Sequence, residues 1–166
     1  MISIEFINNS DISEGLKLQI CEFKNRNWKY PVQSHLEWMD RHLCDGDIHL
    51  LLRDEDILVA YLNMVRVSLE YDSRTVEALG IGNVCVDPVM KGRNYGRLIM
   101  SVADFYCRQN KMPGILFCQQ KNVGFYRTCN WIPYDGDVEV EGKTLQAYCF
   151  LNQELSTRLI SVNRDF

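Results

Sequence analysis

The chain has 166 residues, the size of one domain, and is long enough to bury a hydrophobic core. Its 46% hydrophobic and 24% charged residues are typical of a globular protein in water, and its net charge of −4 argues against non-specific nucleic-acid binding. No apolar run reaches the length of about 20 residues that a membrane helix needs, and no basic leader precedes an apolar stretch at the N-terminus. We therefore expect a single cytoplasmic domain over 1–166, with neither a membrane nor a nucleic acid as partner.

The cysteines and histidines do not form a recognisable metal or disulfide pattern. The seven cysteines are scattered without a CxxC pair: Cys21, Cys44, Cys85, Cys107, Cys118, Cys129 and Cys149. Several lie in apolar runs, where free cysteine behaves as a small hydrophobic residue, so we expect reduced thiols. His35, His42 and His49 are spaced by seven, but no partner pattern matches a zinc site. We expect no metal.

The first part of the chain predicts one strand and two helices. Residues 2–7 are short, apolar and alternating, as in a strand. The pair Asp11 and Glu14 fits a capping box for a helix over 12–26. A second, short helix is predicted to begin at Ser34.

The remaining elements alternate between strand and helix patterns. Three strand-like runs are joined by acidic turns that suit an antiparallel meander: 47–53, 57–67 and 75–86. Helical spacing follows at Tyr95, Leu98/Ile99, Val102 and Phe105/Tyr106. The last predicted elements are a strand at 115–118, a helix at 122–128, and strands near 131–134 and 144–150. The order β-α-α-β-β-β-α-β-α-β-β predicts an α+β fold with a central, mostly antiparallel sheet flanked by helices.

A turn rich in basic residues and glycine joins the third of these strand runs to the next helix. A helix start carries unpaired N–H groups and the positive end of the helix dipole, so it binds anions. Glycine lets the backbone close on the anion, and Lys and Arg add positive charge. We therefore predict a pyrophosphate cradle at Lys91, Gly92, Arg93, Asn94, Tyr95, Gly96 and Arg97.

Two familiar phosphate-binding motifs do not fit the chain. No GxxxxGK[ST] is present, because Gly92 is followed by RNYG. The segment GIGNVC at 80–85 has Cys85 where a dinucleotide fingerprint needs its third glycine, and it lies inside a predicted strand.

Lys91-Gly92-Arg93-Asn94-Tyr95-Gly96 instead resembles the signature of the GCN5-related N-acetyltransferases (GNAT). That signature has a basic or Gln residue, two residues of any kind, Gly, any residue, and then Gly or Ala. Lys91 keeps a donor at the first position. Asn94 replaces the first glycine, and Asn is the non-glycine residue that best tolerates positive φ.

Residues 119–133 resemble the second motif of the same family, in which a short helix ends in Phe-Tyr. Phe125-Tyr126 match, while Asn130-Trp131 replace the usual Gly-Phe. We expect Asn130 to be a left-handed helix cap. Gln119 occupies the position of an Asn whose amide contacts the pantetheine arm in the family.

The resemblance implies a mechanism and a co-substrate, acetyl-CoA. Backbone groups of Val84, Cys85 and Val86 would bind pantetheine on a fourth strand that splays from the fifth, and one N–H would polarise the thioester carbonyl. Tyr126 would be the general acid that protonates the departing thiolate. The acetyl group would then move by direct transfer in a ternary complex to a primary amine of a small molecule.

The acceptor and the general base are open at this point. Residues 118–131 and the segment NWKYPVQS most resemble the aminoglycoside 2′-N-acetyltransferase branch, which implies an aminosugar acceptor. Trp28 and Asp135 are candidate acceptor contacts. Alternative acceptors are a polyamine, an amino acid or a peptide amine, and a homodimer is left open. The candidate base is Glu77, acting through water, or a loop carboxylate.

Three further alternatives follow from the residues. Cys85 or Cys118 would be the nucleophile of a cysteinyl intermediate. A non-catalytic acyl-CoA-binding sensor domain would keep the fold without the reaction. The alternating acidic residues of 135–141, if extended, would share one face that either attracts a polycationic amine or protects a hairpin edge from aggregation.

Overall fold

The computed structural model describes residues 1–166 and contains four α-helices and ten β-strands. The helices are α1 (Glu14–Asn25), α2 (Val32–His42), α3 (Tyr95–Gln109) and α4 (Val123–Thr128). The strands are β1 (Ile2–Asn8), β2 (Ile48–Asp54), β3 (Ile57–Tyr71), β4 (Arg74–Val86), β5 (Gly114–Cys118), β6 (Ile132–Tyr134), β7 (Asp137–Val140), β8 (Lys143–Thr144), β9 (Tyr148–Leu151) and β10 (Leu159–Val162). This confirms the predicted α+β class with a mostly antiparallel sheet. None of the helices has the length and apolar character needed to cross a lipid bilayer.

The chain folds into two compact units, and the first comprises Met1–Val65 and Asn83–Ile99. In this unit β1 pairs antiparallel with β2, and β2 pairs antiparallel with β3. The turn between β2 and β3 places Glu55 and Asp56 at φ 49° and 66°, the left-handed pair that a tight hairpin requires. β3 is also hydrogen-bonded to β4 in the sheet, so the predicted meander is present. In the same unit α1 packs beside α2.

The second unit comprises Arg66–Gly82 and Met100–Phe166. Here β4 pairs in parallel with β5 at only two positions, Leu79 and Gly80, and β9 lies antiparallel between β5 and β6. In the same unit β10 pairs antiparallel with β3 and parallel with β7.

The prediction for the C-terminal strands is incomplete. Strands β7 and β10 were not predicted, and the expected strand at 144–150 is the two separate strands β8 and β9. These strands are two to four residues long, too short for a clear alternating pattern. In β7, Val138 and Val140 are buried while Asp137 is exposed, so buried and exposed side chains do alternate. The extended part covers only Asp137–Val140, so fewer acidic residues share one face than the range 135–141 suggested.

Both predicted helix starts are displaced. The capping box at Asp11 is wrong, because Ser13 is the N-cap of α1 and its Oγ accepts a hydrogen bond from the Leu16 N–H at 3.2 Å. The second helix begins at Val32 directly after Pro31, so Ser34 lies inside it. Pro31 is the N-cap, and its carbonyl accepts the N–H groups of Ser34 at 2.9 Å and His35 at 3.4 Å.

The buried stripe of α3 includes the predicted Ile99 but differs from the prediction at other positions. Ile99, Ala103 and Cys107 are completely buried, whereas Leu98 is 37% and Phe105 62% exposed. The spacing of apolar residues indicates a helix. It does not indicate which of two adjacent rows of side chains along the helix faces the core. Ala103 and Cys107 have small side chains, which carry little hydrophobic signal in the sequence.

An unpredicted polar cluster surrounds Asn152 in the second unit. The Asn152 Oδ1 accepts a hydrogen bond from the Gly114 N–H at 2.7 Å, and its Nδ2 donates to Asp104 at 3.0 Å. Arg108 donates to the Asn152 carbonyl at 2.8 Å and pairs with Asp104 at 2.9 Å. The cluster therefore satisfies buried polar groups where β5 begins and β9 ends.

Candidate active site

The predicted phosphate cradle follows the end of β4 through an ordered connection. Asp87 caps a short 3₁₀ turn, because its Oδ1 accepts the Val89 N–H at 3.1 Å. The other carboxylate oxygen of Asp87 forms an ion pair at 2.5 Å with Arg26, the residue that caps the C-terminal end of α1. The ion pair fixes where the chain leaves β4 on its way to α3.

The cradle itself contains two residues in the left-handed region. Gly92 has φ 84° and Asn94 has φ 65°. Asn94 therefore adopts a positive φ at the position where the motif has glycine, and asparagine tolerates this conformation. A Cβ placed on Gly92 would meet no atom within 4 Å, so open space lies above this backbone. Lys91 and Arg93 are exposed beside it. The turn therefore fits an anionic group held close to the main chain.

Tyr95 anchors the start of α3. Its hydroxyl donates to Asp54 Oδ2 at 2.5 Å, and Asp54 also pairs with the N-terminal ammonium of Met1 at 3.4 Å. The hydrogen bond lowers the pKa of the Asp54 carboxyl and raises the pKa of the Tyr95 hydroxyl. Because this side chain is held at the end of β2, Tyr95 can serve an anion only through its backbone.

β4 is distorted directly before the predicted pantetheine-binding residues Val84, Cys85 and Val86. Asn83 has φ 51° inside the strand, and its Nδ2 donates to Asn63 Oδ1 at 2.6 Å. Positive φ for a non-glycine residue within a strand is uncommon and costs conformational energy. The sequence did not indicate this kink.

Tyr126 lies in the second unit and is 7% exposed. Its ring meets Phe125 edge-on at 5.1 Å and Phe150 at 5.8 Å. Its carbonyl accepts the N–H of Trp131 at 3.2 Å where α4 ends, and Asn130 has φ 62°, which confirms the predicted left-handed cap.

The remaining predicted residues are distributed over both units. Gln119 is exposed and precedes a 3₁₀ turn before α4. Trp28 lines a cavity of about 280 Å³ together with Asn83 in the first unit. Asp135 lines a different cavity, of about 310 Å³, in the second unit. Glu77 is exposed on β4. The structure thus keeps the two candidate acceptor contacts in separate cavities.

The two candidate nucleophilic thiols are poorly suited to attack. Cys85 is 4% and Cys118 7% exposed. Burial raises the pKa of Cys85 to about 12 and also raises the pKa of Cys118. The thiolate is the reactive form, so both thiols stay protonated near neutral pH. This argues against a cysteinyl intermediate.

Residues 3–133 match the family model described as an acetyltransferase (GNAT) domain. This match spans more than half of the chain, so the chain belongs to the GNAT family of acyl-CoA-dependent acyltransferases. The match confirms the family resemblance, while the aminoglycoside branch stays a prediction.

Solved structures share this fold. Escherichia coli ElaA is 22% identical, with a TM-score of 0.62 over 92% of this chain and 100% of that chain. An acyl-CoA N-acyltransferase from Pseudomonas aeruginosa is 14% identical, with a TM-score of 0.66 over 92% and 100%. The Bacillus subtilis N-acetyltransferase YlbP, solved in complex with coenzyme A, is 19% identical, with a TM-score of 0.58 over 91% and 95%. Comparison with curated proteins gives no significant match.

Proposed function

We propose that the chain transfers the acetyl group of acetyl-CoA to a primary amine of a small molecule, by direct transfer in a ternary complex. The observation that carries this proposal is the turn at the start of α3, where Gly92 and Asn94 are both left-handed and basic side chains are exposed. Such a turn presents N–H groups and positive charge to an anion. The pyrophosphate of the co-substrate has that chemistry.

The co-substrate would be held mainly by main-chain groups. Val84, Cys85 and Val86 would bind the pantetheine arm, and one of their N–H groups would polarise the thioester carbonyl as negative charge develops on it. The Lys91–Arg97 turn would hold the pyrophosphate. The amide of Gln119 would contact the pantetheine arm in place of the family's asparagine.

Tyr126 would act as the general acid. Its hydroxyl would give a proton to the departing thiolate, a step worth roughly 10²–10⁴-fold in rate for a positioned acid. The raised pKa values of Cys85 and Cys118 support direct transfer over a cysteinyl intermediate. Glu77, acting through water, stays the candidate route for the proton that the amine loses.

The sequence favours an aminoglycoside-like aminosugar as acceptor, with a polyamine, an amino acid or a peptide amine as the other classes. Trp28 and Asp135 are the proposed acceptor contacts, and each lines a cavity. A homodimer is a separate proposal that light scattering on the purified protein would test.

A screen of amines with acetyl-CoA tests this function against a non-catalytic sensor. The purified protein is incubated with acetyl-CoA and each amine class while free thiol is followed. An acetyltransferase releases thiol only when a suitable amine is present. A sensor binds acetyl-CoA in calorimetry and releases no thiol with any amine.

A further inference from the structure

The cavity beside Asn83 is lined by aromatic rings and by one buried cation. It lies in the first unit and has a volume of about 280 Å³. Trp28, Tyr30 and Trp38 supply the aromatic walls, and Lys24 of α1 supplies the cation. The volume is close to the lower end of the range of about 300–1,000 Å³ for small-molecule sites, so it suits a metabolite-sized ligand.

Lys24 is a charged group without a counter-ion. The residue is 2% exposed, and its Nζ lies 4.5 Å from the centre of the Trp38 ring. It forms no ion pair, and no carboxylate lines the cavity. Its ionisable neighbours are the buried thiols of Cys21 and Cys85 and the imidazoles of His35 and His49, none of which is an anion that could pair with it.

The burial of Lys24 is only partly compensated within the protein. Burial lowers the pKa of the ammonium to about 8, which leaves it mostly charged at pH 7. The Trp38 ring supplies a cation–π contact but no hydrogen-bond acceptor. A buried charge is ordinarily paired. A ligand with an anionic group would supply the missing partner.

Asn83 supplies a complementary group in the same cavity. Its Nδ2 is committed to Asn63, which leaves its Oδ1 as an acceptor without a partner in the protein. This oxygen can accept a hydrogen bond from an amine N–H. Asn83 also directly precedes Val84, where the thioester is proposed to lie.

We infer that this cavity binds the acceptor, and that the acceptor is a primary amine that also carries a carboxylate or a phosphate. The anionic group pairs with Lys24, the amine lies at Asn83, and the body of the molecule packs on Trp28 and Trp38. The inference rests on the proposed function and narrows its acceptor class. A polyamine or a polycationic aminoglycoside, which carries no anionic group, would place like charge beside Lys24, which costs binding free energy.

Paired amines that differ only in the anionic group test this directly. One pair is L-phenylalanine with L-phenylalaninamide, and the other is glucosamine 6-phosphate with glucosamine. We expect the anionic member of at least one pair to have a kcat/KM about 10-fold or more above its partner, since hydrogen bonds to charged groups are among the strongest. The pair that shows the preference distinguishes a carboxylate from a phosphate.

Two variants with the same change of charge locate the effect. Lys24→Met should abolish the preference by lowering kcat/KM for the anionic amine to about that of its neutral partner, because methionine fills the buried site without supplying a charge. Lys29→Met removes an exposed lysine of the same segment and should keep the preference. Quenching of tryptophan fluorescence by each amine, in the presence of CoA, gives a binding readout without turnover.

The outcomes separate this inference from the proposed function. Equal kcat/KM values within both pairs, or a preference that survives Lys24→Met, would overturn the inference while leaving the acetyltransferase intact. Absence of turnover with every amine, together with Lys24-dependent quenching by the anionic members only, would support the site and overturn the proposed function. The paired-ligand comparison on the parent protein needs no variant to fold.

Discussion

At the residue scale, Gly92 is the position on which the proposed anion site depends most. Its φ of 84° is in a region that side chains rarely adopt, and the space above its Cα is empty. A side chain there would add strain and occupy the place nearest the backbone N–H groups. The turn therefore depends on glycine for both conformation and access.

Gly92→Asp should abolish the binding of acetyl-CoA. The substitution adds strain at positive φ and places a negative charge where the pyrophosphate is expected. Isothermal titration calorimetry with acetyl-CoA measures the loss, and circular dichroism shows whether the variant is folded. Unchanged affinity in a folded variant would refute the cradle.

Two substitutions control for that experiment. Gly15→Asp adds the same side chain in the first turn of α1, where no atom lies within 4 Å of the new Cβ, and should leave affinity unchanged. In Gly92→Asn the new asparagine tolerates positive φ and adds no charge, so this variant should bind acetyl-CoA more tightly than Gly92→Asp does.

Tyr126→Phe should lower kcat while leaving the affinity for acetyl-CoA nearly intact. The change removes only the hydroxyl and keeps the ring contacts with Phe125 and Phe150. The expected loss in kcat is roughly 10- to 1,000-fold, near the range for a general acid. A kcat within about twofold of the parent would assign the protonation of the thiolate to another group.

Some site residues could be predicted from the sequence because a local backbone requirement restricts residue type. Asn94 and Asn130 stand where the family motif has glycine, and both have positive φ. Lys24 and Asn83 were not predicted. Lys24 lies one helical turn after the buried Ile20, on the same face of α1. The apolar spacing of this helix therefore indicated that the Lys24 side chain points towards the core. The role of Asn83 depends on a kink that no pattern indicates.

At the scale of elements, the buried His49 of β2 forms hydrogen bonds to a residue directly after β1 and to a residue of β3. The His49 ring is completely buried and donates from Nε2 to Asn9 Oδ1 at 3.1 Å. Its Nδ1 then accepts from the Tyr61 hydroxyl at 2.8 Å. Both ring nitrogens are satisfied in the neutral form.

We expect His49 to make the folded state less stable as the pH falls. Burial, assisted by Lys24, lowers the pKa of the ring to about 4. Between an unfolded-state pKa near 6.5 and the folded value, the unfolded chain binds the extra proton. The free energy of unfolding should therefore fall by about 3 kcal/mol across that range through this residue.

Urea unfolding of the parent and of His49→Gln between pH 7 and pH 4.5 measures this contribution. The variant should start less stable and lose less stability on acidification than the parent. His42→Gln, at an exposed histidine, is the matched control and should keep the parental slope. Parallel pH dependence in the parent and in His49→Gln would show that the ring is not buried as a neutral group.

The elements that could be predicted are those with a long periodic pattern. The meander of β2, β3 and β4 and the helix α3 have 7 to 15 residues each, which is enough to show their spacing. Strands β7 and β10 have four residues each and pair with each other in parallel from positions far apart in the chain. Their existence depends on tertiary pairing, which local propensity does not encode.

At the scale of the whole molecule, family membership and activity rest on different evidence. The match over residues 3–133 assigns the GNAT family. The proposed reaction on a particular amine assigns roles to the cradle, to Tyr126 and to the cavity that contains Lys24. Solved relatives at 14–22% identity share the fold alone, so the acceptor must be measured on this chain.

Transfer of a labelled acetyl group tests the central claim most directly. The parent protein is incubated with acetyl-CoA carrying an isotopic label in its acetyl group, together with the amines of the two pairs, and the products are identified by mass spectrometry. We predict that the label appears on the nitrogen of an anionic amine in proportion to the free CoA released. Label found only as acetate or on a protein cysteine, or retained in full by CoA, would contradict direct transfer to an amine.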